Sequence, residues 1–447
     1  MTEARLPDWE EAVVYHVFLD RFRRGQASPP TAERLPFRGV AAHHTRDARL
    51  LTGARTHERH FLGGDLPGVL EGLDHIQSLG ANVLLLSPLY RSRSSHRYDA
   101  DDHADLDPGL GTFEDYHALR RELARRGMRL LLDGVFAHTS WENPWWTGFE
   151  GDRPFYRYRA PGRVETWMGW DVMPRLDTDD PAVQEALLAT LDVWGPVDGW
   201  RLDAAQHLSE GFIRRLGEKA RSLAPGAVII GEEWEWAPEA LRSGRYDGIL
   251  NFPGRRAVLD FLSGETSAEA FARRARLLTE LYPRPSWPRC LNLLGNHDTD
   301  RVWGKHARTM ADLEAALACL VGLPGTPLVY QGDELGLRAD SPAESRGQFP
   351  WEPRRWKRPI LERYRHWLGL RHAHPSLRRG ELRWLEASNA DRFIAFARTS
   401  PEETALIGIN LGHRSREIAF EGRRHRFEPG ESRAMFHGSR SDGEHEG

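Results

Sequence analysis

Residues 197–234 read VDGWRLDAAQHLSEGFIRRLGEKARSLAPGAVIIGEEW. The spacing predicts a strand over 197–203, a helix from about Ser209 to Leu223 and a second strand over 227–232. Strand, helix and strand in that order form the unit of a parallel sheet. The second strand ends in two adjacent carboxylates, Glu232 and Glu233. Side chains alternate along a strand, so Glu232 shares a face with Val228 and Ile230 while Glu233 points the other way. Only one of them can enter the space that the apolar residues face.

The same unit repeats in both directions. Upstream, strands are expected over 12–19, 82–88 and 129–136. Helices are expected over 66–80, over 112–127 with a threonine cap, and over 181–195 opened by a proline. Downstream, strands are expected over 246–252, 290–296 and 327–334, with helices near 267–281, 311–323 and 360–373. Eight alternating units predict an α/β chain folded as a (β/α)8 TIM barrel over 1–138 and 181–375. Residues 139–180, rich in Trp, Gly, Pro and Arg, read as a short inserted domain after strand three. Residues 376–437 turn strand-like, as in RFIAFAR and TALIGIN, and predict a C-terminal antiparallel β-sandwich. Residues 438–447 read as a disordered tail, and no internal repeat is visible.

Composition narrows the function classes. The 447 residues carry a formal net charge of −4, so no field draws the chain to nucleic acid or to an anionic membrane. The two cysteines, Cys290 and Cys319, sit in apolar segments, as buried thiols of a reducing compartment do. The N-terminus MTEARLPDWEE has no basic-then-apolar leader, and no run reaches transmembrane length. A soluble, cytoplasmic protein is expected. Tryptophan occurs 16 times, with clusters in SWENPWWTGF (140–149) and ETWMGWDVM (165–173). A flat ring on a loop can stack on the apolar C–H face of a sugar.

Catalytic groups of such barrels sit where strands end. Strand two is followed by His96, Tyr98 and Asp99, and strand three ends in Asp133 and His138. Strand four ends in Arg201, Asp203 and His207, and strand five in Glu232 and Glu233. Strand seven ends in Asn296, His297, Asp298 and Arg301, and strand eight in Asp333 and Glu334. Acidic groups converging on one mouth repel each other unless they are used. Arg201, two residues before Asp203 on the same strand face, can offset that repulsion. Two carboxylates and an arginine among Tyr and His suit glycosidic bond cleavage, with one carboxylate attacking and the other donating a proton. No GxGxxG follows a strand, which argues against a nicotinamide enzyme. The adjacent histidines of AAHHT (41–45) lack metal-ligand spacing.

These residues resemble the α-amylase family, the family 13 glycoside hydrolases. DGVFAH, GWRLDAAQH, GEEW and GNHD match four of its short motifs in order, and MPRLDT (173–178) matches a fifth. That fifth motif has the form seen in neopullulanases, cyclomaltodextrinases and maltogenic amylases. The resemblance covers roughly residues 9–375. It implies that Asp203 is the nucleophile, Glu232 the general acid/base and Asp298 a third carboxylate that grips sugar hydroxyls. The family spacing Gly-Glu-x-Trp selects Glu232 over Glu233, which is expected to pack outward or pair with an arginine. Arg201 would hold Asp203 ionised, His138 and His297 would bond sugar hydroxyls, and Tyr98 would stack on the ring. His207 would lie on the leaving-group side, and Arg301 would reach the next sugar.

The resemblance implies a retaining hydrolase of α-glucosidic, mainly α-1,4, bonds in malto-oligosaccharides or starch-derived glucans. A glucosyltransferase or sugar isomerase on the same machinery is the alternative. A catalytically inactive binding barrel would be expected to lack a carboxylate, and all three are present. Departures from the pattern matter. An asparagine that often helps to hold calcium is Ala137 here, so no metal and no cofactor are expected. The sequence starts at the barrel, without the N-terminal β domain that closes over a partner's site in neopullulanase-like dimers. An open cleft and a monomer are expected.

Overall fold

The computed structural model describes residues 6–28 and 60–438, with the backbone of His43 and His44 between them. The side chains of the histidine pair at 41–45 and the tail from residue 439 onward lie outside the described residues.

Eight parallel strands form the centre: β1 (Val14–Val17), β2 (Val83–Leu86), β3 (Arg129–Gly134), β4 (Gly199–Leu202), β5 (Val228–Gly231), β6 (Gly248–Ile249), β7 (Leu291–Leu293) and β8 (Thr326–Tyr330). Their order is β6-β5-β4-β3-β2-β1-β8-β7. A parallel bridge between Leu250 and Leu291 joins the two ends and closes the ring. Alternation sorts the side chains. Val14, Leu85, Leu131, Val228, Ile230, Leu293 and Leu328 fill the interior as one buried cluster. Leu84, Leu132, Trp200, Leu202 and Ile229 face outward into the larger core shared with the helices. Both faces are buried, which is why the strands read as continuous apolar runs. Truncating an interior residue such as Leu131 to alanine is expected to cost about 2–5 kcal/mol.

The expected helices are present. Thr112 caps Phe113–Arg125 by accepting from Asp115 N, and Ser209 caps Glu210–Leu223 by accepting from Phe212 N. One connection differs from expectation. Between β6 and β7 there are two helices, Phe252–Ser263 and Ala268–Leu281. The Pro253-Gly254 pair sits in the first helical turn, with Asn251 as N-cap accepting from Gly254 N. Proline tolerates that position because its missing N–H would be unpaired there anyway.

Residues 139–180 carry a short hairpin (Tyr158–Ala160 with Arg163–Val164) and a helical turn at Pro144–Thr147. They are tied back to the barrel by a bridge between His138 and Arg175. Downstream, β9 (Glu381–Ser388), β10 (Phe393–Thr399), β11 (Glu403–Asn410) and β14 (Ser432–Gly438) form an antiparallel sheet. Between β11 and β14, the strands β12 (Arg416–Phe420) and β13 (Arg423–Phe427) form a hairpin. One sheet face, with Phe393, Ala395 and Leu406, packs on Ile418, Phe420 and Phe427 of that hairpin. The other, with Ile394, Phe396 and Ile407, joins the outer core of the barrel. β9 was not apparent in the sequence, because none of its residues is fully buried. Among the described residues no helix is long and apolar enough to cross a membrane.

Candidate active site

The polar groups gather where β3, β4, β5 and β7 end. Register does the first step: Arg201 on β4 stands opposite Asp133 on β3 and Ile230 on β5. Arg201 Nη1 donates to both oxygens of Asp133, at 2.7 and 2.8 Å, and to Asp203 Oδ1 at 3.1 Å. Its Nη2 lies 2.8 Å from Glu232 Oε1, a charge contact without hydrogen-bond alignment. One guanidinium therefore touches three carboxyl groups. Asp203 and Glu232 follow one inward step above the Arg201 level. The backbone holds them there, with Asp203 N on Gly134 O and Glu232 N on Leu202 O, both at 3.0 Å.

Ala204, just after Asp203, has φ +47°, a left-handed conformation uncommon for a residue with a side chain. That turn aims its N–H at Glu232 Oε2, 2.9 Å away. Glu233 points elsewhere. It is half-buried and accepts from Tyr246 OH at 3.0 Å, rather than pairing with an arginine.

The Tyr98 hydroxyl donates to Asp133 Oδ2 at 2.7 Å and meets His297 Nε2 at 2.7 Å. The same Nε2 lies 2.8 Å from Asp298 Oδ2. The Tyr98 ring stacks on His297, with centroids 5.2 Å apart and planes 9° apart. His138 donates from Nε2 to Tyr98 O at 2.8 Å, which leaves Nδ1 as an unpartnered buried acceptor. On its other side His138 faces Trp167 of the inserted segment, 5.6 Å away.

Charge states follow from this packing. Burial pushes both Asp203 and Glu232 up, against the pull of Arg201, and each feels other carboxylates nearby. The two buried carboxyls titrate as a unit that keeps a proton longer than either would in water. Asp298 behaves oppositely. Burial alone would raise it, but His297 and Arg346 outweigh that and hold it well below the usual carboxylate range. Burial lowers His138 to about 4, so it is a neutral imidazole at neutral pH.

Asp203, Glu232, Asp298, Tyr98, His138, Arg201 and His297 thus form one contiguous hydrogen-bonded and charged cluster. His207 stands at its edge, half-buried, with its carbonyl held by Arg175 Nη2 at 3.0 Å. Arg301 does not reach the cleft. It is 1% exposed and its guanidinium is bound to Asp333 Oδ1, Gln331 O and Ser345 O. Besides Arg201, a second arginine bonds a site carboxylate: Arg346, whose Nη2 donates to Asp298 Oδ1 at 2.8 Å.

The alpha amylase catalytic domain model matches residues 16–161 and 166–353. This chain belongs to the alpha-amylase family. It is 31% identical to neopullulanase 2 from Thermoactinomyces vulgaris, over 91% of this chain and 70% of that one. It is 29% identical to a cyclomaltodextrinase from Geobacillus thermopakistaniensis, over 92% and 71%. Among solved structures it is similar to the cyclic alpha-maltosyl-(1→6)-maltose hydrolase from Arthrobacter globiformis. That match has a TM-score of 0.84 and 29% identity, and covers 97% of this chain and 100% of that one. As an alpha-amylase family member, the chain is a glycoside hydrolase acting on α-glucosidic bonds.

Two site residues were not assigned from the sequence of this alpha-amylase family chain. Asp133 was visible as a strand-end acid, but its hold on both Arg201 and Tyr98 depends on packing. Arg346 lies in an irregular loop and carries no motif signal. At the position where the family often carries a calcium-holding asparagine, this chain has alanine. Ala137 is fully buried, has no side-chain oxygen, and its carbonyl accepts from Leu176 N at 3.0 Å.

Proposed function

We propose that the protein cleaves α-1,4 bonds of malto-oligosaccharides or starch-derived glucans by double displacement, with retention of configuration. The observation that carries this reading is Arg201, whose one guanidinium touches Asp133, Asp203 and Glu232. A shared guanidinium keeps Asp203 and Glu232 close, as expected of a retaining pair about 5–5.5 Å apart. Asp203 takes the aligned Arg201 hydrogen bond and attacks the anomeric carbon as a carboxylate. Glu232 holds the proton and gives it to the departing glycosidic oxygen, then takes one from the incoming water. Asp298, kept ionised, binds sugar hydroxyls in the distorted ring. His138 Nδ1 accepts a hydrogen bond from a sugar hydroxyl, and His297 bonds a neighbouring hydroxyl. Tyr98 supports the ring at the cleavage point, and His207 lines the leaving-group side.

In this reading every reacting group comes from the chain itself, and no metal, organic cofactor or partner subunit takes part. Neopullulanase, cyclomaltodextrinase and cyclic maltosyl-maltose hydrolase are the names of its relatives, so α-glucans of several shapes are the substrates to try. The buried free thiols Cys290 and Cys319 support a reducing, cytoplasmic setting.

The test is incubation of the pure protein with maltotriose, maltoheptaose, cyclodextrin, pullulan and sucrose, with identification of products. Release of glucose or maltose from the α-1,4 substrates is the expected result. Transfer products or isomerised sucrose without net hydrolysis would overturn it.

A further inference from the structure

Two segments near the site grip each other. Arg301 donates from Nη2 to Ser345 O at 2.7 Å, while its Nη1 holds Asp333 Oδ1 at 2.6 Å. Arg346, the residue after Ser345, reaches back. Its Nε donates to His297 O at 3.0 Å and its Nη2 to Asp298 Oδ1 at 2.8 Å. The 297–301 segment thus holds the 345–346 peptide by its carbonyl, and that peptide returns an arginine to the 297–298 pair. A third arginine completes the clamp, with Arg21 donating from Nε to Arg346 O at 2.8 Å. Two consecutive carbonyls, Ser345 O and Arg346 O, are therefore each bound by an arginine that is 1% exposed.

Holding a loop does not by itself call for two buried cations. A carbonyl at the surface is satisfied by water, and desolvating a guanidinium costs several kcal/mol. What the clamp adds is a fixed direction for the Arg346 side chain. The planar fork of Arg301 reaches Asp333 and Ser345 O at once, which the single point charge of a lysine does not do. Ser345 ends the short helical turn Pro342–Ser345, with its N–H on Ser341 O at 3.0 Å and its carbonyl also accepting from Tyr330 OH at 3.2 Å, and Arg346 follows outside any strand, so the turn alone does not set where the Arg346 side chain points.

We propose that Arg301 and Arg21 are positioning residues of the reaction. They fix the 345–346 peptide so that the Arg346 guanidinium stays hydrogen-bonded to Asp298 and keeps it oriented toward the sugar. This rests on the use of Asp298 in the reaction, as proposed above.

A double-mutant cycle between Arg301→Lys and Arg346→Ala tests it, read as kcat, KM and the pH profile of kcat/KM. With Arg346 present, Arg301→Lys is expected to lower kcat/KM about tenfold or more. It should also move the acid limb to higher pH, because Asp298 loses one of the groups, beside His297 and Arg201, that hold its proton off. In the Arg346→Ala background the same change is expected to alter kcat/KM by less than about twofold and to leave the limb in place. Equal losses in both backgrounds would overturn the proposal. Should Arg301→Lys not fold, Arg21→Lys interrogates the neighbouring carbonyl. A folded Arg21→Lys protein with full kcat/KM and an unmoved acid limb would overturn the proposal as well. Asp298→Asn separates the two levels: full activity there overturns the reading beneath, whereas inactivity combined with an additive cycle overturns only the clamp.

Discussion

Arg201 and Asp133 face each other across the β3–β4 register, and Arg201 Nη1 lies 2.7 and 2.8 Å from the two carboxylate oxygens. The side chains are 1% and 0% exposed. Breaking one partner of such a pair leaves a buried charge uncompensated, at about 3–5 kcal/mol. Here it would also free the guanidinium that touches Asp203 and Glu232. Asp133→Asn is therefore expected to lower kcat by roughly 10²-fold or more, as loss of a catalytic acid does, and to lower Tm. Steady-state kinetics and thermal unfolding check both.

Glu232 and Glu233 are neighbours with opposite fates. Glu232 accepts from Ala204 N inside the cluster, and Glu233 accepts from Tyr246 OH outside it. Glu232→Gln is expected to lower kcat by about 10²–10⁴-fold, while Glu233→Gln retains most activity. Comparable losses at the two positions would sink the assignment.

The first sugar released from an α-linked substrate is expected to be the α anomer, because double displacement inverts twice. Proton NMR within the first minutes of reaction, before mutarotation, reads this directly. A β anomer would point to a single displacement by water.

Removal of metal ions is expected to change little. Ala137 offers no side-chain oxygen, and Asn143 of the inserted segment already caps the Pro144–Thr147 turn through Trp145 N. Dialysis against EDTA should leave kcat and Tm nearly unchanged. A fall in Tm of many degrees that calcium restores would contradict this.

Stability is expected to fall in acid. Burial lowers His138 and His103 to about 4, from an ordinary value of 6.5. Between those values the unfolded chain binds protons that the folded protein excludes, so stability rises with pH across the window. The contribution is complete above about 6.5 and is lost as pH falls toward 4. Denaturant unfolding at several pH values should show this slope, and His103→Gln should flatten it.

The helix over 252–263 and the strand β9 show where local signals fail. Pro253-Gly254 reads equally well as a turn or as a first helical turn, and the Asn251 cap decides between them. β9 has a short apolar face, Leu382 and Trp384, whose alternation breaks at an irregularity after Trp384, and it pairs with β10 along seven register positions. Most of the barrel was readable because its strands are buried on both faces and most of its helices carry one apolar stripe, the nearly all-buried helix Met310–Gly322 being an exception.

The carboxylates of the site were legible for the same reason. Parity along β4 and β5 sends Arg201, Asp203 and Glu232 inward whatever the loops do, since side chains alternate with a period of two. Loop side chains obey no such period. Arg301 was expected at the substrate and is instead buried on Ser345 O, 44 residues away, while Arg346 bonds Asp298 across 48 residues. Which arginine faces the sugar and which lies beneath it is decided by contacts between distant segments that form only when the barrel closes. The chain's own periodicity specifies the barrel, the level at which its acids stand and the strand arginine between them; only the folded molecule specifies that Arg346, and not Arg301, bonds Asp298.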